Sequence, residues 1–181
     1  MSPYTLAMAV RPILRYPDPR LRQSSAPVTE FGDALRPLVA DMGETMFAAE
    51  GAGLAAIQVG EPLRLFIVDA AVAGRAETDP PVVFANPELV KLSEEAQTGD
   101  EGCLSFPGVF VPVKRAMRAT IKAQDIEGNW FEMEGSELLA RAFQHESDHL
   151  TGRLLIDMVG PVKREIIKRK MKKEAAAAAE T

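Results

Sequence analysis

Apolar residues along the chain change period several times, and each change marks an element. Residues 11–30 carry four prolines (Pro12, Pro17, Pro19, Pro27) and no regular period, which predicts an extended arm over residues 1–30. Leu35, Leu38, Val39, Met42, Met46 and Phe47 then recur at helical spacing. Gly32-Asp33 offers an N-cap, Pro37 lies near the first turn, and the helix should end by Gly51. Beyond it the period becomes extended. Residues 63–68 form a continuous apolar run of strand length, and short strands follow at 82–84, 89–92 and 109–113. Residues 119–124 and 130–134 form a hairpin across Asp125-Ile126-Glu127-Gly128-Asn129, and residues 74–79 read as a loop.

Helical period returns after Ser136, which reads as the N-cap of a helix carrying Leu138, Leu139, Ala142, Phe143, His149 and Leu150 and stopping at Gly152. Pro161 opens a third helix with thin apolar content (Ile166, Ile167, Met171), expected at the surface and fraying. Helix, several strands, then helix, without regular alternation, predicts an α+β fold. Short antiparallel strands would pack around a central helix, and a C-terminal basic helix and tail would occupy 161–181. No linker or repeat divides the 181 residues, so 1–181 reads as a single domain.

Composition narrows the function. One cysteine excludes an intrachain disulfide and suggests a reducing, cytoplasmic setting. The apolar stretch 6–10 is too short for a signal peptide, and no run approaches the roughly 18 residues of a membrane span. Net charge is −5, but residues 163–173 alone carry +6. That basic stretch is either a solvated helix face or a surface for an anionic partner such as RNA.

Both histidines fall in His145-Glu146-Ser147-Asp148-His149, on the second predicted helix. Residues four apart share a helix face, so the two imidazoles can address one metal ion, with Glu146 beside them as a base for water. A catalytic site of this kind usually needs a third protein ligand. No third histidine exists; the candidates are Glu165, Glu174, Glu180 or Cys103. Cys103 is the strongest, since a metal-bound thiolate is a firm ligand. It lies in Glu101-Gly102-Cys103-Leu104-Ser105, expected as a loop in which Gly102 permits a tight turn. Gly51-Ala52-Gly53-Leu54-Ala55-Ala56-Ile57-Gln58 is a third constellation, a tight helix-to-strand turn or a loop approaching a ligand. Its Gln58 amide could face a developing oxyanion.

In order and separation the three segments resemble the peptide deformylase family, and the arm around residues 13–22 resembles the start of such a protein. The resemblance implies a metal-dependent hydrolase that removes the N-formyl group from the formyl-methionine of nascent polypeptides and releases formate. It implies Cys103, His145 and His149 as metal ligands, Glu146 as general acid/base, and Leu104 N–H with Gln58 as oxyanion donors. Gly53 and Gly102 would bind an extended substrate backbone, and Glu101 would pair with Arg115. Arg141 and Ala142, one turn before His145, would wall a methionine pocket, the stem of Arg141 packing while its charge reaches water. The cofactor implied is one divalent ion, Fe(II) in the cell, with Zn, Ni or Co possible in purified protein. Ribosome docking through residues 163–173 is implied as well. Ala52 and Ile57 depart from the usual pattern and would reshape the groove. Two rivals remain: a zinc endopeptidase with a carboxylate third ligand, and a non-catalytic ribosome-associated protein.

Overall fold

The computed structural model describes residues 9–180. The apolar stretch 6–10 and the start of the arm therefore fall largely outside the described residues. Among the described residues three α-helices, α1 (Arg36–Ala48), α2 (Leu138–His149) and α3 (Pro161–Ala179), combine with seven strands. Strands β1 (Gly53–Ala55), β2 (Leu65–Val68), β3 (Val82–Leu92), β6 (Arg118–Gln124) and β7 (Trp130–Ser136) form one antiparallel sheet in the order β1-β2-β3-β6-β7. Strands β4 (Ala96–Cys103) and β5 (Phe106–Ala116) form a separate antiparallel ribbon. The α+β expectation holds, with the helix carrying the histidines in the middle.

Strand β2 is apolar at every position because both of its faces are covered. Phe66 and Val68 point into a cluster with Phe84, Ile121 and Phe143 of α2. Leu65 and Ile67 point the other way, onto Met42 and Met46 of α1. A third cluster joins the buried positions of β5 (Phe106, Val109, Val111, Val113) to Leu155, Ile156 and the inner face of α3, Ile167 and Met171. Helix α2 thus lies between the sheet and the ribbon, and its buried faces include both histidines and Glu146.

Several boundaries differ from the sequence expectation. Gly32-Asp33 lies in a separate 3-10 turn (Gly32–Ala34), and α1 begins at Arg36 after Leu35, without a side-chain cap. The two short strands expected at 82–84 and 89–92 are one strand, β3, shifted in register between Ala85 and Glu88. The shift falls beside Asn86, at φ +48°, a conformation its short polar side chain tolerates. That side chain accepts from Val28 N and donates to Val28 O, anchoring the arm on the sheet. Glu101-Gly102-Cys103 belongs to β4 rather than a loop. β4 has few strand-forming residues and is held in register by β5. Gly102 does not turn the chain; a Cβ there would sit 2.8 Å from the Phe110 ring. Ser136 ends β7 instead of capping α2, whose N-cap is Glu137 at φ +53°. Helix α3 continues through its alanine run to Ala179.

The arm is extended apart from a 3-10 turn at Pro19–Arg22. It binds as it passes: Arg11 reaches Asp41 and Thr45 of α1, and Ser25 N donates to Leu150 O just past α2. Gly152, at φ +75°, lets the chain leave α2 beneath the arm, and a Cβ there would stand 2.3 Å from Arg22 O. Replacing Gly152 with alanine should lower the unfolding free energy by about 1–3 kcal/mol, from strain plus displaced backbone. Urea denaturation measures it; a midpoint unchanged from wild type would show that the arm is loosely held.

Candidate metal centre

Three elements meet at the centre. Helix α2 supplies His145 and His149 one turn apart, and β4 supplies Cys103 at its last position. Cys103 Sγ and one ring nitrogen of each histidine all lie within 4.8 Å of one another. The His145 and His149 Nε2 atoms are 3.2 Å apart, and Cys103 Sγ is 3.5 Å from His149 Nε2. A tetrahedral ion with ordinary bond lengths would set these edges at about 3.3 Å between nitrogens and about 3.6 Å from sulfur to nitrogen. Two of the three edges thus match a tetrahedral ion, and the third pair of donors lies within 4.8 Å. No other group of three His, Cys, Asp or Glu side chains with metal-ligand spacing occurs among the described residues. Glu165 pairs with Lys168 on the exposed face of α3, which removes it as third ligand.

Behind the histidines lies a buried ionic cluster. His145 Nδ1 donates to Glu101 Oε2 at 2.7 Å, which leaves Nε2 as the lone-pair nitrogen facing the centre. Arg115 binds both carboxylate oxygens of Glu101, at 3.1 and 2.8 Å, and donates to Asp148 at 2.7 Å. Arg141 adds a bond to Glu101 at 3.0 Å and another to Val113 O at 3.1 Å. Burial disfavours ionised Glu101, but the bonds from His145 and Arg115 outweigh it and hold the carboxyl well below the usual carboxylate range. The expected Glu101–Arg115 pair is present. The guanidinium of Arg141 turns one nitrogen inward, onto Glu101 and Val113 O, while the side chain, 10% exposed, also lines the cleft over the centre.

Glu146 is buried, and burial pushes its carboxyl up to about 7. Its Oε2 and His149 Nδ1 are enclosed without a protein hydrogen-bond partner. A Cβ on Gly53 would come within 3.0 Å of Glu146 Oε1, so glycine there makes room for this carboxylate. Gln58 Oε1 accepts from Ala55 N at 3.0 Å, and its Nε2 donates to Ser105 Oγ at 3.1 Å and lies 3.6 Å from Cys103 Sγ. Leu104 sits in the two-residue turn joining β4 to β5.

A cleft of about 740 Å³ opens over the centre, lined by residues of all three sequence motifs. Gly53, Gln58, Gly102, Cys103, Leu104, Arg141, Ala142, His145 and Glu146 all line it, and His149, 1% exposed, lies beneath them within the same donor cluster. Ala52 lines the cleft, whereas Ile57 is fully buried in the core and does not shape the groove. Sequence reasoning gave no role to Phe110 and Leu138, exposed apolar residues on the cleft, or to Asp148 and Gln144. The Gln144 side chain accepts from Ala116 N and donates to Ala116 O, pinning α2 to the end of β5. Asp148 and Gln144 flank the histidines in sequence, the one signal that could have marked them.

Exchanging Glu101 for glutamine should cost about 3–5 kcal/mol of stability, because Arg141 loses its only carboxylate among the described residues and Arg115 keeps Asp148 alone. The lowered carboxyl contributes fully above about pH 4.3, and that contribution is lost as pH falls through the folded-state value. The gap between wild type and Glu101→Gln should therefore close on acidification below that point. Urea denaturation as a function of pH checks both; a gap below about 1 kcal/mol at neutral pH would contradict the cluster's role.

The polypeptide deformylase family model matches residues 10–165. A peptide deformylase of Acidobacterium capsulatum is 47% identical over 166 residues, covering 92% of this chain and 96% of that protein. One from Acinetobacter baumannii is 46% identical, covering 92% of each. The crystal structure of a peptide deformylase from Legionella pneumophila superposes with a TM-score of 0.86 at 42% identity, covering 96% of this chain and 99% of that one. That of the Ehrlichia chaffeensis peptide deformylase in complex with actinonin gives 0.85 at 37% identity, covering 92% and 98%. With the family model spanning most of the chain and relatives this similar along nearly their whole length, the chain is a member of the peptide deformylase family of enzymes.

Proposed function

We propose that this enzyme hydrolyses the N-formyl group from the formyl-methionine of nascent polypeptides, releasing formate, with one divalent ion held by Cys103, His145 and His149. The observation that carries the reading is the three-donor cluster at the floor of the cleft beside a buried carboxylate with an unpaired oxygen. Such an ion polarises a carbonyl and acidifies water. Glu146, near neutrality through burial, is suited to take a proton from the attacking water and return it to the departing amine. Gln58 Nε2 and the main-chain N–H of Leu104 are the donors for the negative charge that grows on the formyl oxygen. One thiolate and two imidazoles suit zinc, cobalt, nickel and iron alike, and the family resemblance favours Fe(II) in the cell.

The cleft runs between two strand edges, β1 on the sheet and β4 on the ribbon. Edges of this kind favour a peptide bound as an added strand, with Gly53 and Gly102 along its backbone. Ala142 and the stem of Arg141 wall the methionine pocket. Arg164 and Lys170 of α3 bond to carbonyls of Ile156, Val159 and Gly108, whereas Lys163, Arg169, Lys172 and Lys173 are exposed, as are Val162 and Ile166; we assign the basic stretch 163–173 to ribosome docking. The whole of 1–181 acts as one domain, in the cytoplasm. No helix of the described residues is long and apolar enough to cross a membrane.

Protein loaded anaerobically with iron, nickel or cobalt should release formate from a formyl-Met tripeptide; absence of formate from all three would sink the reading. Cys103→Ser should lose most of both metal and turnover, while an endopeptidase with a carboxylate ligand would keep them. Glu146→Ala should retain the metal, measured by elemental analysis, yet lose turnover; metal loss would make Glu146 a ligand. Gln58→Ala should lower kcat about 10²–10³-fold.

A further inference from the structure

We propose that Ser105 is a positioning residue for the reaction, fixing the carboxamide of Gln58 so that one N–H faces the metal centre. The inference rests on the oxyanion reading of Gln58 given above. Ser105 is fully buried in the β4–β5 turn, and its Oγ is 3.1 Å from Gln58 Nε2. At the other end of the amide, Ala55 N–H donates to Oε1 at 3.0 Å, which forbids a flip because the NH₂ group would then meet another donor. Ala55 thus decides which end is NH₂, and Ser105 fixes the plane of the whole carboxamide. With one proton engaged by Ser105, the second is directed to the side of Cys103 Sγ, 3.6 Å away.

The two partners belong to different sheets, since Gln58 follows β1 and Ser105 follows β4, so their spacing depends on how sheet and ribbon are held. The arm supplies that hold. Leu14 N donates to Gln58 O at 2.7 Å, and Tyr16 N, two residues on, donates to Ser105 O at 3.0 Å. Successive N–H groups on one edge of an extended segment therefore grip the main chain of both residues. Tyr16 also stacks on Phe106, the neighbour of Ser105, with ring centroids 5.3 Å apart. The arm, Ser105 and Gln58 form one support, and the hydroxyl is the part that acts on the amide.

A double-mutant cycle on the metal-loaded enzyme with a formyl-Met tripeptide tests this. Ser105→Ala should lower kcat about 10–100-fold, as a misplaced donor does, with KM and metal content near wild type. Ser105→Cys, similar in volume but a poor acceptor, should do the same and serves if the alanine variant fails to fold. In a Gln58→Ala background either change should have no further effect on kcat. Additive losses, a rise in KM with kcat unchanged, or wild-type kcat in both Ser105 variants would overturn the proposal. Wild-type kcat in Gln58→Ala alone would instead remove the oxyanion reading itself, and the role of Ser105 with it.

Discussion

One buried carboxylate holds the centre together. Glu101, only 5% exposed, binds Arg115, Arg141 and His145, and so joins β4, β5 and α2 at a single point. Desolvating it would be prohibitive alone; four charge-assisted hydrogen bonds offset the cost and fix its geometry. Its bond to His145 sets the ring's tautomer, and its place on β4 two residues before Cys103 sets where the sulfur lies. The metal-binding geometry is thus a consequence of how one ion cluster ties a helix to a ribbon.

Around that point the fold supplies three things the chemistry needs. Apolar layers on both faces of the sheet bury α2 deeply enough to raise Glu146 towards neutrality. Small residues allow approach: Gly53 leaves space for the Glu146 carboxylate, and Gly135 lets β7 lie against Leu139 and Phe143 of α2. Two strand edges, β1 and β4, border the cleft. The burial that raises Glu146 and the open edges that border the cleft come from the same packing of sheet against ribbon.

Most of this was readable from the chain where chemistry is local. His145 and His149 declare themselves because residues four apart share a helix face, with Glu146 beside them, and the single cysteine narrows the third ligand to one strong candidate. Periodicity also located all three helices and most strands. What stayed hidden depends on partners distant in sequence. Glu101-Gly102-Cys103 reads as a loop because its glycine and charge have no preference for a strand; only the ladder to β5 makes it the end of β4. Nothing near Arg141 in sequence shows that Glu101, forty residues earlier, takes its Nη1. Asp148 and Ser105 lay inside recognised motifs, yet their roles exist only through Arg115 and Gln58.

The central claim is that one cysteine and two histidines, brought together by Glu101, hold the ion at the floor of the cleft. X-ray absorption at the metal edge of protein reconstituted with nickel or cobalt tests it directly. The account predicts one sulfur scatterer near 2.3 Å and two imidazole nitrogens near about 2.0–2.1 Å, with the sulfur lost in Cys103→Ser. A shell of nitrogen and oxygen alone in the unaltered protein would contradict it.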